Sequence, residues 1–255
     1  MIHKTAIIDP NAEVDDGVEV GPYAIIGSGV KIGAGTVIGP HVLIKQDTFI
    51  GSDNIFEHGA SIGGEPQDLS FKGQKTYVKI GNGNTFREFS TIHRATKKEG
   101  ATSIGDNNYF MAYAHAGHDC QVGNSTIISN CTGLAGHVHV EDYAIISASV
   151  GIHQFVKIGT MAMVGALSRI NRDVLPYTLV EGNPAVTRGL NSVGLRRKGY
   201  SAESRSALKK AYKILCRSDM SIPKALDKIV SEIEAVDELK HLIAFVKESQ
   251  RGIIR

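Results

Sequence analysis

Large apolar residues recur at every sixth position from Ile8 to Ile170 without a change of phase. Of the 28 positions in this series, 24 hold Ile, Val, Leu or Phe, and the exceptions are Asp68, Gln74, Lys98 and Ala116. A second series two residues earlier is mostly small, as in Ala12, Val18, Ala24, Val30, Thr36 and Val42. A period of six is neither the 3.6 of a helix nor the 2 of a strand, so it marks a repeat architecture. It predicts a mainly β chain, a left-handed parallel β-helix of triangular section. Each coil has three short strands, with one large and one small side chain of every hexad directed inward.

Two segments, 63–79 and 93–103, lack the large apolar positions and carry turn or charged residues (GGEPQD, ATKKEG), which predicts loops extruded from the coil corners. Loops of this length in a compact repeat are usually functional or interface elements. Past Ile170 the repeat decays and the period changes to 3.6. Leu208, Ala211, Tyr212 and Leu215 predict one helix, Leu226, Ile229, Val230 and Ile233 a second, and Leu239, Leu242, Ile243 and Val246 a third. Ser201 and Ser221 are the candidate N-caps, the latter followed by Pro223. The expected division is a hexapeptide β-helix over 1–187 and a C-terminal α-helical domain over 188–255. The flat faces of such a prism favour a closed homo-oligomer, with a homotrimer the natural choice.

The net charge of +2 conceals an asymmetry, because the segment from Arg188 to Arg217 holds nine Lys or Arg against one acid, Glu203. An anionic partner is expected there. Nucleic acid is disfavoured, since only Tyr200 and Tyr212 interleave the basic residues. Within this segment Arg205, Lys209, Lys213 and Arg217 recur every four residues as a stripe. It is either a solvated helix face or, with Arg196, Arg197 and Lys198 nearby, a binding surface for an acidic protein or a diphosphate. Three cysteines without a C-x-x-C pattern fit a reducing compartment. No apolar run is long enough to span a bilayer, and the opening residues lack a signal-peptide core, so a cytoplasmic protein without stable membrane insertion is expected.

None of the ten histidines falls on either interior series, so those within the repeat should face outward or lie at corners. His115, His118, His137 and His153 fall close together in coil space, His137 lying about one coil above His118. They are either solvated corner residues or a site. Asp119 beside His118 could orient the imidazole and favour its protonated form, as a general base requires. Sequence neighbours on a strand point apart, so that contact needs a bend. Cys120 is a rival nucleophile, although it falls on the small interior series, where a packed thiol is expected. A zinc site is the other rival, but no Cys or carboxylate completes an obvious ligand set.

The segments IHKTAIIDPNAEV, GGEPQDLSF, STIHRAT, AHAGHDCQVGN, GLAGHVHV, GIHQFVKIG, DVLPYTLVEGNPA, GLNSVGLRRKGY and RGIIR, which run through the whole chain, resemble the UDP-N-acetylglucosamine 3-O-acyltransferases that open lipid A synthesis. The resemblance implies transfer of a (3R)-3-hydroxyacyl group from acyl carrier protein to the sugar 3-hydroxyl, with no cofactor beyond the carrier's phosphopantetheine and no metal. It implies His118 as general base, Asp119 as its supporting carboxylate and Gly136 as the oxyanion donor. It further implies Asp68, His115, His137, His153, Gln154, Asn191, Arg197 and Lys198 as substrate contacts, Ala166 as a limit on acyl-chain length, and the basic stripe as the carrier surface. Ser70 departs from the pattern, since a lysine often occupies that place. This puts in question the contacts around the sugar and acyl hydroxyl, and with them the choice between UDP-N-acetylglucosamine and its 3-amino analogue. The competing readings are the related UDP-3-O-acylglucosamine N-acyltransferase and a zinc hydratase resembling γ-type carbonic anhydrase.

Overall fold

The computed structural model describes residues 1–255, in which strands of mostly two residues stack into three sheets forming a triangular prism. The first face has nine parallel strands, from Ile7–Ile8 to Arg169–Ile170, and the second has eight, from Glu13–Val14 to Lys157–Ile158. The third runs from Glu19–Val20 to Met163–Val164 and ends in the antiparallel hairpin Thr178–Gly182 and Ala185–Leu190.

Strands one coil apart pair in register, Ile127 with Ile145 and Ile145 with Met163. Each side chain therefore stacks on its equivalents at the ordinary strand spacing of about 4.8 Å. The second residue of a strand points inward and is buried, as for Ile26, Ile32 and Ile38, while the first faces out. Burying one such side chain contributes roughly 1.5–3 kcal/mol. Phe56, Phe86 and Phe110 fill one interior column with ring centroids 4.9 and 5.1 Å apart.

The small series is more polar than expected along one corner, where Asn54, Asn84 and Asn108 are all buried. Their amides are used up in a ladder. Asn54 Oδ1 accepts from Asn84 N and Nδ2 (2.9 and 3.0 Å), Asn84 Oδ1 from Asn108 N (2.8 Å), and Asn108 Oδ1 from Thr126 N (2.8 Å). A buried amide so satisfied escapes the desolvation penalty of an unpaired one.

Ile62 pairs with Ile92 and Ile92 with Ala116, so these two coils exceed the ordinary step of 18 (Ile127 to Ile145) by 12 and 6 residues. Both excesses are whole hexads, and the phase of the sequence pattern survives for that reason. Asp68, Gln74 and Lys98 are the hexad positions that fall inside the inserted loops. The strands run on to Gly64 and resume at Tyr77, then run to His93 and resume at Ala101, so the loops are 65–76 and 94–100, shorter than the pattern suggested.

Four helices follow, α1 (Ser192–Arg197), α2 (Ala202–Arg217), α3 (Ile222–Glu232) and α4 (Asp237–Glu248). The short α1, capped by Asn191, was not evident from the apolar period. Ser201 Oγ caps α2 by accepting from Ser204 N (3.0 Å), whereas Ser221 stands at the start of α3 without a side-chain cap bond. Val230 is exposed, against expectation, and Phe245 is buried in the helical core. That core also takes in Met161, Leu175 and Tyr177 from the end of the β-helix, so the two parts share a packed seam.

A polar latch crosses the seam. His241 Nε2 on α4 lies 3.1 Å from Glu141 Oε2 and His241 Nδ1 3.0 Å from Tyr177 OH, while Thr160 N and Oγ1 donate to the same Glu141 oxygen (2.7 and 2.8 Å). The bond to Glu141 raises the His241 pKa against its burial. Burial raises that of Glu141, but the bond from His241, its charge and Thr160 together bring it below the usual value. The His241 contribution is full below its unfolded value of 6.5 and is lost as pH rises through the folded value. That of Glu141 is present above 4.5 and lost as pH falls through its folded value. Glu141→Gln should therefore lower the thermal midpoint at pH 6 by about 2–4 °C, and the deficit should shrink at pH 8.5. A deficit that stays constant over this range in scanning calorimetry would contradict the latch.

Candidate active site

The edge between the first and second faces brings the polar residues together. His118, Gly136 and Gln154 occupy equivalent turn positions in successive coils, and Asp119, His137 and Phe155 occupy the next position along. Asp119 and His137 both have left-handed backbone, φ +60° and +61°. This supplies the bend that neighbouring side chains need in order to meet. His118 Nδ1 donates to Asp119 Oδ2 (2.9 Å), and His137 Nε2 lies 3.6 Å from the same oxygen. The imidazoles of His118 and His137 meet edge to face at 5.2 Å, and His137 stacks on Phe155 at 4.5 Å.

Both loops spring from this same edge, in the two coils before the one that carries His118. Thr96 of the second loop donates from N (3.0 Å) and Oγ1 (2.7 Å) to Asp119 Oδ2. Burial raises the Asp119 pKa, but the bonds from Thr96 and His118 outweigh it and the carboxyl lies below its usual value. Burial holds the His137 pKa down despite the Asp119 charge. His118 is outward-facing yet only 5% exposed, which the sequence did not foretell. With Nδ1–H committed to Asp119, Nε2 carries the free lone pair. A Cβ added to Gly136 would clash with His118 Cε1, Nε2 and Nδ1, so the imidazole ring packs against Gly136. The Gly136 N–H has no acceptor within the chain.

From this edge a cavity of about 500 Å³ extends over the first face, lined by His93, His115, Gly133, Gly151, His153, Gln154 and Arg169 among others. The outward residues of four paired strands, His115, Gly133, Gly151 and Arg169, form one column across its floor. A Cβ on Gly133 or Gly151 would meet nothing within 4 Å, and neither has left-handed backbone. These glycines leave room, and the fold does not need them. The hexad period signals them only when outward positions are read coil by coil.

His93 and Gln67 are further lining residues absent from the sequence-based set. Burial, then the neighbouring His115, Lys45 and His118, push the His93 pKa down to about 4, and its ring meets His115 edge to face at 4.9 Å. Burial likewise lowers the His115 pKa, against a backbone hydrogen bond of Thr91, whose hydroxyl lies 2.7 Å from His115 Nδ1. Burial thus favours the neutral forms of His93 and His115.

Asp68 sits in the first loop, its Oδ1 accepting from Ser70 N (2.8 Å); the Ser70 bonds first, and then the charges of His118 and His137, hold its pKa below the ordinary value. Cys120 is buried, donates Sγ–H to Ala135 O (3.1 Å), and is pushed up to about 12 by burial, so it is a packed thiol. The donor atoms of His118, Asp119 and His137 lie within 4.8 Å of one another, a spacing a metal could use. The Asp119 oxygen, however, already accepts three hydrogen bonds that an ion would have to displace.

Other expected residues lie elsewhere in the chain. Asn191 caps α1 by accepting from Gly194 N and donates from Nδ2 to Met161 O (2.9 Å), at the edge between the second and third faces. Lys198 Nζ sits 3.8 Å above the Tyr143 ring at that edge, and Arg197 is exposed on α1. Ala166 is exposed on the turn leading into strand Arg169–Ile170 and outside the cavity wall. Lys209 and Lys213 are exposed on α2, Arg205 is half-buried, and Arg217 is tied to Tyr212 OH (2.8 Å) and the Thr187 and Arg188 carbonyls.

Residues 173–254 match the family described as UDP-N-acetylglucosamine O-acyltransferase, domain 2, and 11–46 and 101–136 match the bacterial transferase hexapeptide repeat. The chain is 50% identical over 259 residues to the acyl-[acyl-carrier-protein]--UDP-N-acetylglucosamine O-acyltransferase of Burkholderia orbicola, covering 100% of this chain and 99% of that one. The chain belongs to the UDP-N-acetylglucosamine O-acyltransferase family. The family enzyme of Thermodesulfovibrio yellowstonii is 51% identical over 255 residues with the same coverage. A solved UDP-N-acetylglucosamine O-acyltransferase from Moraxella catarrhalis superposes with a TM-score of 0.96 at 42% identity, over 100% of this chain and 99% of that one. Membership makes this left-handed β-helix an O-acyltransferase, and favours that reading over the N-acyltransferase and zinc-hydratase alternatives.

The two kinds of glycine should separate on mutation. Gly136→Ala should displace the His118 ring and cut turnover at least tenfold, as small misplacements at a reacting centre do. Gly133→Ala should fold normally and keep most activity. Equal turnover in the two variants would refute this assignment of the His118 Nε2 surroundings.

Proposed function

We propose that the protein transfers a (3R)-3-hydroxyacyl group from acyl carrier protein to the 3-hydroxyl of UDP-N-acetylglucosamine. The observation carrying this reading is the base assembly, with His118 Nδ1–H held by Asp119, its ring packed against Gly136, and the Gly136 N–H unpaired. His118 Nε2 takes the hydroxyl proton as the sugar oxygen attacks the thioester carbonyl, and the Gly136 N–H donates to the oxyanion that forms. Collapse expels the pantetheine sulfur, which takes the proton back from the imidazolium. A thioester is already activated, so base, oxyanion donor and orientation suffice.

The site is completed by a second copy of the chain. The outward column of the third face is largely apolar, with Val37, Ile55, Tyr109, Ile127, Ile145 and Met163, whereas that of the second includes Glu13, Lys31, Lys79, Gln121 and Lys157. Aromatic rings run along the edge between the third and first faces, Tyr23, His41, His58, Phe89 and Tyr113, each within 5.4 Å of the next. With that edge on a three-fold axis, the third face of one copy flanks the first face of the next. Asn191, Arg197 and Lys198 of one copy then approach the His118 edge of its neighbour, where they bind the nucleotide. His115, His137, His153, Gln154 and Asp68 hold the sugar and acyl head. The acyl chain follows Gly133 and Gly151 toward the turn at Ala166. Lys209 and Lys213, with Arg205 and Arg217, receive the acidic carrier protein. No helix is long and apolar enough to cross a membrane, and the reaction belongs in the cytoplasm, where both substrates are soluble.

His118→Ala should retain the fold and lose about 10²-fold or more of turnover, measured with purified acyl carrier protein and sugar nucleotide. A folded, active variant would sink the mechanism. Reversing charge with Arg205→Glu and Lys209→Glu should raise KM for the acylated carrier much more than KM for the sugar nucleotide, in proportion to the salt sensitivity of the wild type. An unchanged carrier KM would make the stripe a solvated face.

A further inference from the structure

Asp119 sits at a largely covered corner, and on its own coil only the His118 Nδ1–H donates to its carboxylate. Its constraint comes from the second loop. Thr96 donates two hydrogen bonds, N at 3.0 Å and Oγ1 at 2.7 Å, to Asp119 Oδ2, the same oxygen that accepts the His118 Nδ1–H at 2.9 Å. Asp119 N in turn donates to Thr102 Oγ1 (2.8 Å), just past the far end of that loop. Thr96 is itself pinned, because the Gln74 side-chain amide of the first loop donates to its carbonyl. A chain of hydrogen bonds thus runs from the loop carrying Gln67 and Asp68, through Thr96, to the partner of the catalytic imidazole.

We propose that Thr96 is a positioning residue for the acyl transfer, fixing the Asp119 rotamer and the carboxylate oxygen that orients the His118 ring. This rests on His118 being the base. An aspartate held by its histidine alone can rotate and offer either oxygen. Three donors converging on one oxygen leave a single arrangement, and the ring follows it. The same bonds stabilise the ionised carboxylate, so Asp119 stays an acceptor when His118 becomes imidazolium. Losing the Thr96 hydroxyl leaves Asp119 a stronger acceptor toward His118 Nδ1–H, which favours the protonated imidazole.

The other titratable or charged groups facing this pair are His137 one coil above, His93 and His115 on the first face, Asp68 of the first loop and Lys97 of the second. None is altered by a substitution at Thr96. Thr96→Val keeps the shape and the backbone donor and deletes the hydroxyl donor. Its kcat should fall about tenfold, with KM for both substrates within about twofold. The acidic limb of kcat/KM should move to higher pH, and Thr96→Ser should restore both kcat and the limb.

A role confined to packing the loop would lower the thermal midpoint without moving the pH limb. A folded Thr96→Val enzyme with wild-type kcat and acidic limb overturns the proposal, and so does a slower one whose limb is unmoved. If His118→Ala proves active, the failure lies with the base assignment, which that variant tests separately.

Discussion

In-register stacking of parallel strands is the constraint on which everything else in this molecule depends. Because Ile127 sits under Ile145 and Ile145 under Met163, a residue type chosen at one position is set against the same position of its neighbours. Interior columns follow from this, the phenylalanines in one and the asparagines in another. So does the active site, since His118 and Gly136 are stacked equivalents that the ladder holds against each other. Precision here comes from backbone hydrogen bonds shared along a whole face, which makes the turn positions as well fixed as the strands between them.

The chemistry needs something the solenoid cannot supply alone, a dry and asymmetric surrounding for one turn. The loops provide it at a single edge. The second loop loads Asp119 with donors, and His118 beside it is nearly inaccessible. Burial favours the neutral forms of His93 and His115, while the Asp119 carboxylate remains charged beside the base. A base next to a fixed anion and uncharged neighbours can accept a proton without competing cations opposing it.

The sequence displayed the coil plainly, because one large residue per hexad survives even through the inserted loops, whose extra lengths are whole hexads. It also pointed to His118 with Asp119, through their placement off both interior series. It missed what depends on absence or on covering. Gly133 and Gly151 contribute a groove by having no side chain, and an isolated glycine in a chain holding 28 of them carries little signal. Gln67 matters because the first loop carries it over the first face, and loop paths have no period to read; His93 ends a strand of that face, where it meets His115. On α3 Val230 is exposed while Leu226, Ile229 and the C-cap Ile233 are buried, and on α4 Phe245 is buried where Ile243 is only half-buried, because packing between helices, not the period, selects among residues adjacent on one helix face. Asn191, Arg197 and Lys198 illustrate a different limit. Their edge, between the second and third faces, differs from that of His118, and within one chain the pattern gives them no shared site.

From Asn107 to Leu167 every sixth residue has left-handed backbone, and none of the eleven is glycine. Each such residue costs roughly 1–2 kcal/mol in isolation, so in most enzymes two of them at the reacting centre would mark strain reserved for catalysis. Here the same conformation occurs wherever the chain turns, at Ser125 and Cys131 as much as at Asp119. The bent pair that lets adjacent side chains touch is thus a standing offer of the architecture, made at every coil and accepted at one. A catalytic dyad in such a fold has an address rather than a unique geometry, and changing which coil the loops overhang would move the address without rebuilding the backbone.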